Sequence, residues 1–276
     1  MRSPIRYFGG KGIMFKEIIG HFPDPSTYEV YIEPFGGAAS ILFQKDPTPM
    51  EIYNDIEQNV YALFKVLSDP KQFIEFKKQC DLFYYSHQIR DEFKNDLKRS
   101  DLSLLERAYR FFLINRTSIN GIGGFSRNMV VRRNMSKSVS DMLSAIDGLT
   151  DVHNRLSSVI IENCDGIQLI KKYDRSNVFI YADPPYHQST RGETRYNADM
   201  EDDQQKKFID ALISLKECKV LLSGYDCYEY TTLTKHGWKQ YNFQINTTDG
   251  NRKPKSKTET VWKNYVREEK ETIFNI

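Results

Sequence analysis

Val178-Phe179-Ile180-Tyr181-Ala182 is apolar throughout and ends on Asp183-Pro184-Pro185-Tyr186. A short apolar run bounded by a turn reads as a fully buried strand. The carboxyl edge of an open α/β sheet is where ligands bind. Prolines fix φ and remove backbone donors, so the carbonyls at this strand end are stiffly presented acceptors. Asp183 adds a charged acceptor and Tyr186 a flat face, a set that suits a planar ring bearing an NH2 group. The same four residues also read as a Pro-rich turn with an Asp cap.

Other segments repeat the strand-then-polar pattern. Tyr28–Ile32 reads as a strand running into Glu33-Pro34-Phe35-Gly36-Gly37-Ala38-Ala39-Ser40, with an apolar helix expected through Phe43. Strand, glycine turn and helix begin a nucleotide-binding α/β unit. There is neither a GxGxxG nor a P-loop, so the turn suits a nucleoside or amino-acid moiety rather than a phosphate. Met50–Tyr53 is a second short strand ending in Asn54-Asp55. An acid about 20 positions past such a turn suits ribose hydroxyls, and Asp55 also suits the cap of a helix starting near Ile56. Ser158–Glu162 is a third strand, followed by Asn163-Cys164-Asp165-Gly166. There Asp165 suits either an adenine amino group or a helix cap. Lys219–Ser223 is a fifth strand. Trp238–Ile245 and Glu259–Val266 suggest a final hairpin across a cationic loop, 246–257, carrying Arg252, Lys253, Lys255 and Lys257. A helix is expected over about 202–216. His187–Asp199, with Arg191, Arg195 and Tyr196, reads as a polar loop beside the site. At the start, Arg6-Tyr7-Phe8-Gly9-Gly10-Lys11-Gly12 allows close backbone approach to a ligand and precedes a helix from about Lys11 to Ile19.

From about Asp69 to Arg155 the periodicity is helical, over Lys71–Lys78 and Leu104–Ile114, and no strand is expected. Asp91–Asp101 is a charged, solvated face. The loop from Asn115 to Ser140 holds five basic residues and no acidic one. Amides and guanidinium groups on a cationic loop fit base reading in nucleic acid, and a polar loop packed on the helices is the plainer alternative.

Composition narrows the classes. The net charge of +2 argues nothing about nucleic acid by itself, so its local distribution matters more. Cys80, Cys164, Cys218 and Cys227 have no CxxC spacing and read as reduced thiols of a cytoplasmic protein. The five histidines form no zinc-ligand pattern, and no segment is long and apolar enough to span a bilayer. The first residues lack the apolar core of a secretory signal.

Taken in order, Tyr7-Phe8-Gly9-Gly10-Lys11, Glu33-Pro34-Phe35-Gly36-Gly37-Ala38, Asn54-Asp55, Asn115-Arg116-Thr117 with Asn120-Gly121, and Asp183-Pro184-Pro185-Tyr186 make a pattern. The chain resembles the Dam-like DNA adenine-N6 methyltransferases along essentially its whole length. Met135-Ser136-Lys137-Ser138-Val139-Ser140 is similar to phage-encoded members. The resemblance implies an α/β fold, a Rossmann-like seven-stranded S-adenosyl-L-methionine methyltransferase sheet whose last strand inserts antiparallel. It implies a catalytic domain over 1–67 and 155–276 and a helical target-recognition insert over 68–154. The expected cofactor set is Tyr7, Phe8, Gly9, Gly10 and Lys11; Glu33, Pro34, Phe35, Gly36, Gly37 and Ala38; Asn54 and Asp55; Cys164 and Asp165; and Asp183. Within it Tyr7 and Lys11 border the methionine and adenosine parts, and Asp55 takes the ribose hydroxyls. The DNA set is Asn115, Arg116, Thr117, Asn120, Gly121, Arg127, Arg132, Arg133 and Lys137.

The implied reaction moves a methyl group from S-adenosyl-L-methionine to the exocyclic N6 of an adenine flipped out of double-stranded DNA, in a cytoplasmic monomer without metal or membrane. Asp183, Pro184, Pro185 and Tyr186 would be catalytic. Hydrogen bonds from the amino group to the Asp183 carboxylate and the Pro184 carbonyl would favour a pyramidal nitrogen, and Tyr186 would stack on the base. Positioning of this kind supplies roughly 7–11 kcal/mol, and extruding the base costs a few. GATC-reading relatives carry an arginine soon after Asn-Gly. Here Ile122–Ser126 intervenes before Arg127, so the target sequence stays open, with Arg127 a candidate guanine reader. A glutamine methyltransferase would begin the tetrapeptide with Asn, and cytosine-C5 chemistry would need a Pro-Cys. An RNA adenine methyltransferase and a non-catalytic DNA-binding module are the remaining alternatives.

Overall fold

The computed structural model describes residues 1–6, 14–185, 200, 202–225, 228–248 and 254–266. In chain order these form α1 (Phe15–Gly20), β1 (Val30–Glu33), β2 (Met50–Asn54), α2 (Gln58–Ser68), α3 (Pro70–Asp81), α4 (His87–Asp96) and α5 (Leu104–Thr117). A small hairpin, β3 (Val131–Arg132) and β4 (Met135–Ser136), precedes α6 (Lys137–Asp147), α7 (Leu149–Leu156), β5 (Val159–Glu162), α8 (Gly166–Lys172) and β6 (Val178–Ala182). The chain continues through α9 (Asp202–Ser214), β7 (Lys219–Gly224), α10 (Thr231–Lys235), β8 (Lys239–Thr248) and β9 (Pro254–Lys263). Seven strands form one sheet in the order β5-β2-β1-β6-β7-β9-β8, the Rossmann-like α/β arrangement expected. The last strand enters antiparallel to β7, as the resemblance implied.

The chain packs as two units. The first comprises Met1–Ile13, Gly36–Asp46 and Met50–Asp165. In it β2 and β5 pair in parallel, with Asn54 opposite Glu162. Helix ends follow ordinary capping chemistry. Glu57 caps α2 through Val60 N, Asp69 caps α3 with Pro70 behind it, and Ser103 and Glu106 form a capping box on α5. Stacked rings fill the core, with Tyr53 on Phe64 at 4.3 Å and Phe73 on His153 at 4.3 Å. The second unit comprises Met14–Phe35, Pro47–Pro49 and Gly166–Ile276. Here β1, β6 and β7 run parallel, and Phe22 and Tyr28 pack their rings against Phe179 of β6. All five residues of β6 are buried, as its composition requires.

Four expectations change. No helix follows the glycine turn; 34–45 is a series of turns, because Gly37 and Ala39 both take left-handed φ (50° and 52°). Two strands do form between 69 and 155. The hairpin β3–β4 turns on Arg133 and Asn134, both at positive φ (54° and 56°), a pair less expected there than Asn-Gly. The loop set at 246–257 is shorter, since β8 reaches Thr248 and β9 starts at Pro254. Strand β9 ends at Lys263 rather than Val266, because the Asn264 side chain takes over the ladder. It accepts from Val220 N (2.8 Å) and donates to Cys218 O (2.9 Å).

A buried ionic group braces the first unit. Glu51, 1% exposed, accepts from Lys45 Nζ (2.5 Å) and from Arg155 Nη2 (2.9 Å). Burial pushes the Glu51 carboxyl up, and the Arg155 and Lys45 contacts outweigh that and hold it below the usual range. Removing one partner of a buried ionic set leaves uncompensated charge. Glu51→Ala is therefore expected to cost about 3–5 kcal/mol in a urea unfolding series at neutral pH. The Glu51 contribution is present above its unfolded pKa and fades as pH falls through the lower folded value, so the difference from wild type should narrow in acid.

Candidate active site

In the second unit, the site begins where β6 ends. Its parallel pairing with β7 sets Ala182 beside Leu222, one residue before Asp183 and Ser223. The Ser223 hydroxyl donates to Asp183 Oδ1 at 3.1 Å, and the Tyr181 hydroxyl lies 2.9 Å from Ser223 Oγ. Pro184 is buried and Pro185 half-buried, and Gln205 Nε2 of α9 donates to the Pro185 carbonyl at 3.0 Å. The first three residues of the tetrapeptide are thus tied down by two neighbouring elements. Tyr186 lies outside the described residues. Glu33 closes β1, buried and accepting from the Tyr31 hydroxyl at 2.7 Å. Phe35 sets its edge on Phe208 at 5.5 Å. Gly166 opens α8 so close to this turn that a Cβ would fall 2.6 Å from the Phe35 ring and 2.8 Å from Pro34 O.

The first unit holds the glycine turn and the acid expected to bind ribose. Gly36 N donates to Asn54 O, and Gly37 N to Asp55 Oδ2, each at 2.8 Å. The Tyr53 hydroxyl closes on Gly37 O at 2.6 Å. A Cβ on Gly36 would sit 2.1 Å from the Tyr53 ring, which is itself fully buried, so only glycine fits. Asp55 is not the cap of α2, a role Glu57 takes. Instead its Oδ1 accepts from Glu57 N at 2.8 Å, so the carboxylate links the turn to the approach of the helix. Burial raises its pKa to about 6, against the pull of the Glu57 and Gly37 backbone bonds. Asn54 joins the ends of β2 and β5, exchanging bonds with Cys164 N (2.9 Å) and Cys164 O (3.0 Å). Asp165 is exposed immediately before α8. Tyr7, Phe8, Gly9, Gly10 and Lys11 lie outside the described residues, as do Arg191, Arg195, Tyr196, Arg252 and Lys253.

The expected DNA loop divides in two. Asn115 is buried, accepts from Arg6 N (2.8 Å) and donates to Arg6 O (2.7 Å). Arg116 donates through Nε to Pro4 O (2.6 Å) and through Nη2 to Ser3 O (3.0 Å), and burial, with Arg6 nearby, pushes its pKa down to about 10. Thr117 is buried with its hydroxyl on Leu113 O. All three side chains bond within the protein, and two of them brace residues 3–6. Gly121 is buried at φ 84°, where a Cβ would meet Arg6 O at 2.3 Å. Asn120, Arg127, Arg132 and Arg133 are exposed and Lys137 half-buried. Just past the acid-free stretch, Asp141 pairs with Lys137 (2.6 Å), Arg132 (3.3 Å) and Arg6 (3.3 Å). The residues not foreseen are Ser223, Tyr181, Gln205 and Asp141. A serine closing an otherwise apolar strand was the one visible signal among them.

Within the first unit, the Asn54 amide and the Asp55 carboxyl stand at a strand end beside the glycine turn, donor and acceptor types that suit a nucleoside. The model of the D12 class N6 adenine-specific DNA methyltransferases matches residues 7–253. The chain belongs to this family. Its activity is accordingly site-specific methylation of adenine in DNA, and the family implies a methyl donor. It is similar to the Type II methyltransferase M.MjaIII of Methanocaldococcus jannaschii, 25% identical over 73% of this chain and 75% of that protein. It is also similar to the Type II methyltransferase M.CviBI of Paramecium bursaria Chlorella virus NC1A, 23% identical over 67% and 69%. No helix among the described residues is long and apolar enough to cross a membrane.

Asp55 makes a pH signature. Its folded pKa lies above its unfolded value, so its contribution to stability is fully present below about 3.8 and is lost as pH rises through about 6. Relative to Asp55→Asn, the wild type should lose about 2–3 kcal/mol of stability between about pH 4 and pH 7. Urea midpoints of both proteins across that range measure it. A constant difference would contradict the burial of an ionisable carboxyl at this turn.

Proposed function

We propose that this adenine methyltransferase takes its methyl group from S-adenosylmethionine and acts on an adenine drawn out of double-stranded DNA. The observation that carries this reading is the Asp183 carboxylate, oriented by Ser223 and set against two prolines at the carboxyl end of a buried parallel strand. When bound, the sulfonium donor supplies a methyl group on a leaving group that departs as a neutral thioether. The protein's task is the adenine nitrogen, whose lone pair is delocalised into the ring. The Asp183 carboxylate and the Pro184 carbonyl accept from the amino group and favour a pyramidal nitrogen with its lone pair localised. As the new bond to carbon forms, the nitrogen becomes positive, and one amino proton leaves toward the carboxylate or water. Tyr186 supplies a stacking face. Asp55 accepts from ribose hydroxyls, Tyr7 and Lys11 border the methionine and adenosine parts, and Phe35 and Gly36 lie along the donor. Asp165 remains a candidate acceptor for its adenine amino group.

Residues 68–154 are proposed as the target-recognition insert. Its DNA face is Asn120, Arg127, Arg132, Arg133 and Lys137, with Arg127 a guanine reader. The supporting observation is the exposure of the arginines around a hairpin whose tip is itself an arginine at positive φ. Both relatives carry the name Type II methyltransferase, which supports a role beside a restriction enzyme. We further take the protein to act as a monomer in the cytoplasm.

Asp183→Ala should reduce tritiated methyl transfer onto unmethylated DNA by at least a hundredfold, the scale of losing one preorganised polar group, while the melting temperature stays near wild type. Retained turnover would sink the assignment. Mapping N6-methyladenine across a host genome after expression of the wild type would give the target sequence.

A further inference from the structure

Asp183 does not stand alone at the end of β6. The hydroxyl of Ser223 gives its single proton to Asp183 Oδ1 (3.1 Å), so the Tyr181 hydroxyl, 2.9 Å away, is the donor to Ser223 Oγ. The bonds therefore run one way, from Tyr181 through Ser223 to the carboxylate. Both hydroxyl residues are buried, Ser223 completely and Tyr181 at 3% exposure. Hydrogen bonds in such a chain polarise one another in a low-dielectric interior. A donor to an ionised carboxylate favours the charged form, which is the better acceptor. Gln205, 2% exposed, independently holds the Pro185 carbonyl from α9.

We propose that Ser223, backed by Tyr181, is a positioning residue for methyl transfer: it fixes the rotamer of Asp183 and keeps its carboxylate ionised, while Gln205 fixes the proline pair. This rests on the reading that Asp183 accepts from the adenine amino group. A purely structural role for the same bonds would lower the melting temperature and leave catalytic titration where it was. Loss of a bond to a charged group instead raises the pKa of that group, so the acidic limb of the kcat profile moves to higher pH.

The test uses the full chain with S-adenosylmethionine and unmethylated duplex DNA, measuring kcat and both KM values between about pH 5 and pH 9. Ser223→Ala is expected to lower kcat about tenfold to a hundredfold, the range of one hydrogen bond to a charged group. Both KM values should hold, and the acidic limb should move upward. Tyr181→Phe should move the limb the same way by less, and the double variant should fall short of the sum, as for neighbours in one network. If Ser223→Ala does not fold, Tyr181→Phe carries the limb test alone. An unmoved limb with wild-type kcat in the folded variants overturns the proposal. Asp183→Ala, run alongside, separates the two failures. If that variant turns over normally, the reading of Asp183 falls; if it is dead while the relay variants behave as wild type, only the positioning role falls.

Discussion

Each parallel strand here ends on a polar group that the strand cannot use. Buried ladders satisfy their own backbone, so side chains along them are mostly apolar, with the ion-paired Glu51 of β2 an exception, and polar groups gather where pairing stops. Glu33 closes β1, Asn54 closes β2 with Asp55 next, Cys164 and Asp165 follow β5, Asp183 follows β6 and Ser223 stands near the end of β7. Register then decides which of these groups meet. The pairing of Ala182 with Leu222 aligns Asp183 with Ser223, and that of Asn54 with Glu162 brings the Asn54 amide to Cys164. A one-residue slip in either pair would turn these groups to the opposite face.

Asp55 shows what the arrangement costs. A carboxyl this buried, answered by two backbone N–H groups and, among the described residues, by no cation, keeps a raised pKa. Glu51, similarly buried, is held low by Lys45 and Arg155. The contrast separates two uses of a buried acid. Glu51 has its charge matched within the protein and serves the fold. Asp55 gains from additional donors, and ribose hydroxyls are donors of that kind, so a ligand would repay part of its desolvation.

Much of this was legible because it depends on period and composition alone. The run at 178–182 had to be a buried strand, and the helices found over 70–81 and 104–117 follow from the apolar spacing of 71–78 and 104–114. The missing helix after Ser40 was not legible, since it turns on the backbone conformation of Ala39, a residue with no sequence signal for positive φ. Two-residue strands are too short to alternate, so the hairpin at 131–136 left no period to read. The site was legible where one motif held all its parts, and not where partners came from elsewhere in the chain. Nothing in the helix expected over 202–216 distinguishes Gln205 from its neighbours until α9 buries it and its amide reaches the Pro185 carbonyl.

The basic loop carries the same lesson further. Counting charges from Asn115 to Ser140 gives a bare cationic surface, yet Asp141 lies one residue beyond and gathers Arg132, Lys137 and Arg6. On the proposed reading, a phosphate arriving at Arg132 or Lys137 would exchange one anion for another, which gains less than neutralising a free cation would. Exchange of this kind weakens sequence-independent binding and leaves discrimination to groups that touch base edges. Because Arg6 shares that carboxylate, and Asn115 and Arg116 grip the backbone of residues 3–6, the loop and the segment leading into Tyr7 are one bonded assembly. Rearranging the loop must then act on the approach to the glycine pair as well. The physical basis is a shared hydrogen-bond set rather than distance, so a change in the loop is felt at residues 3–6 and the reverse.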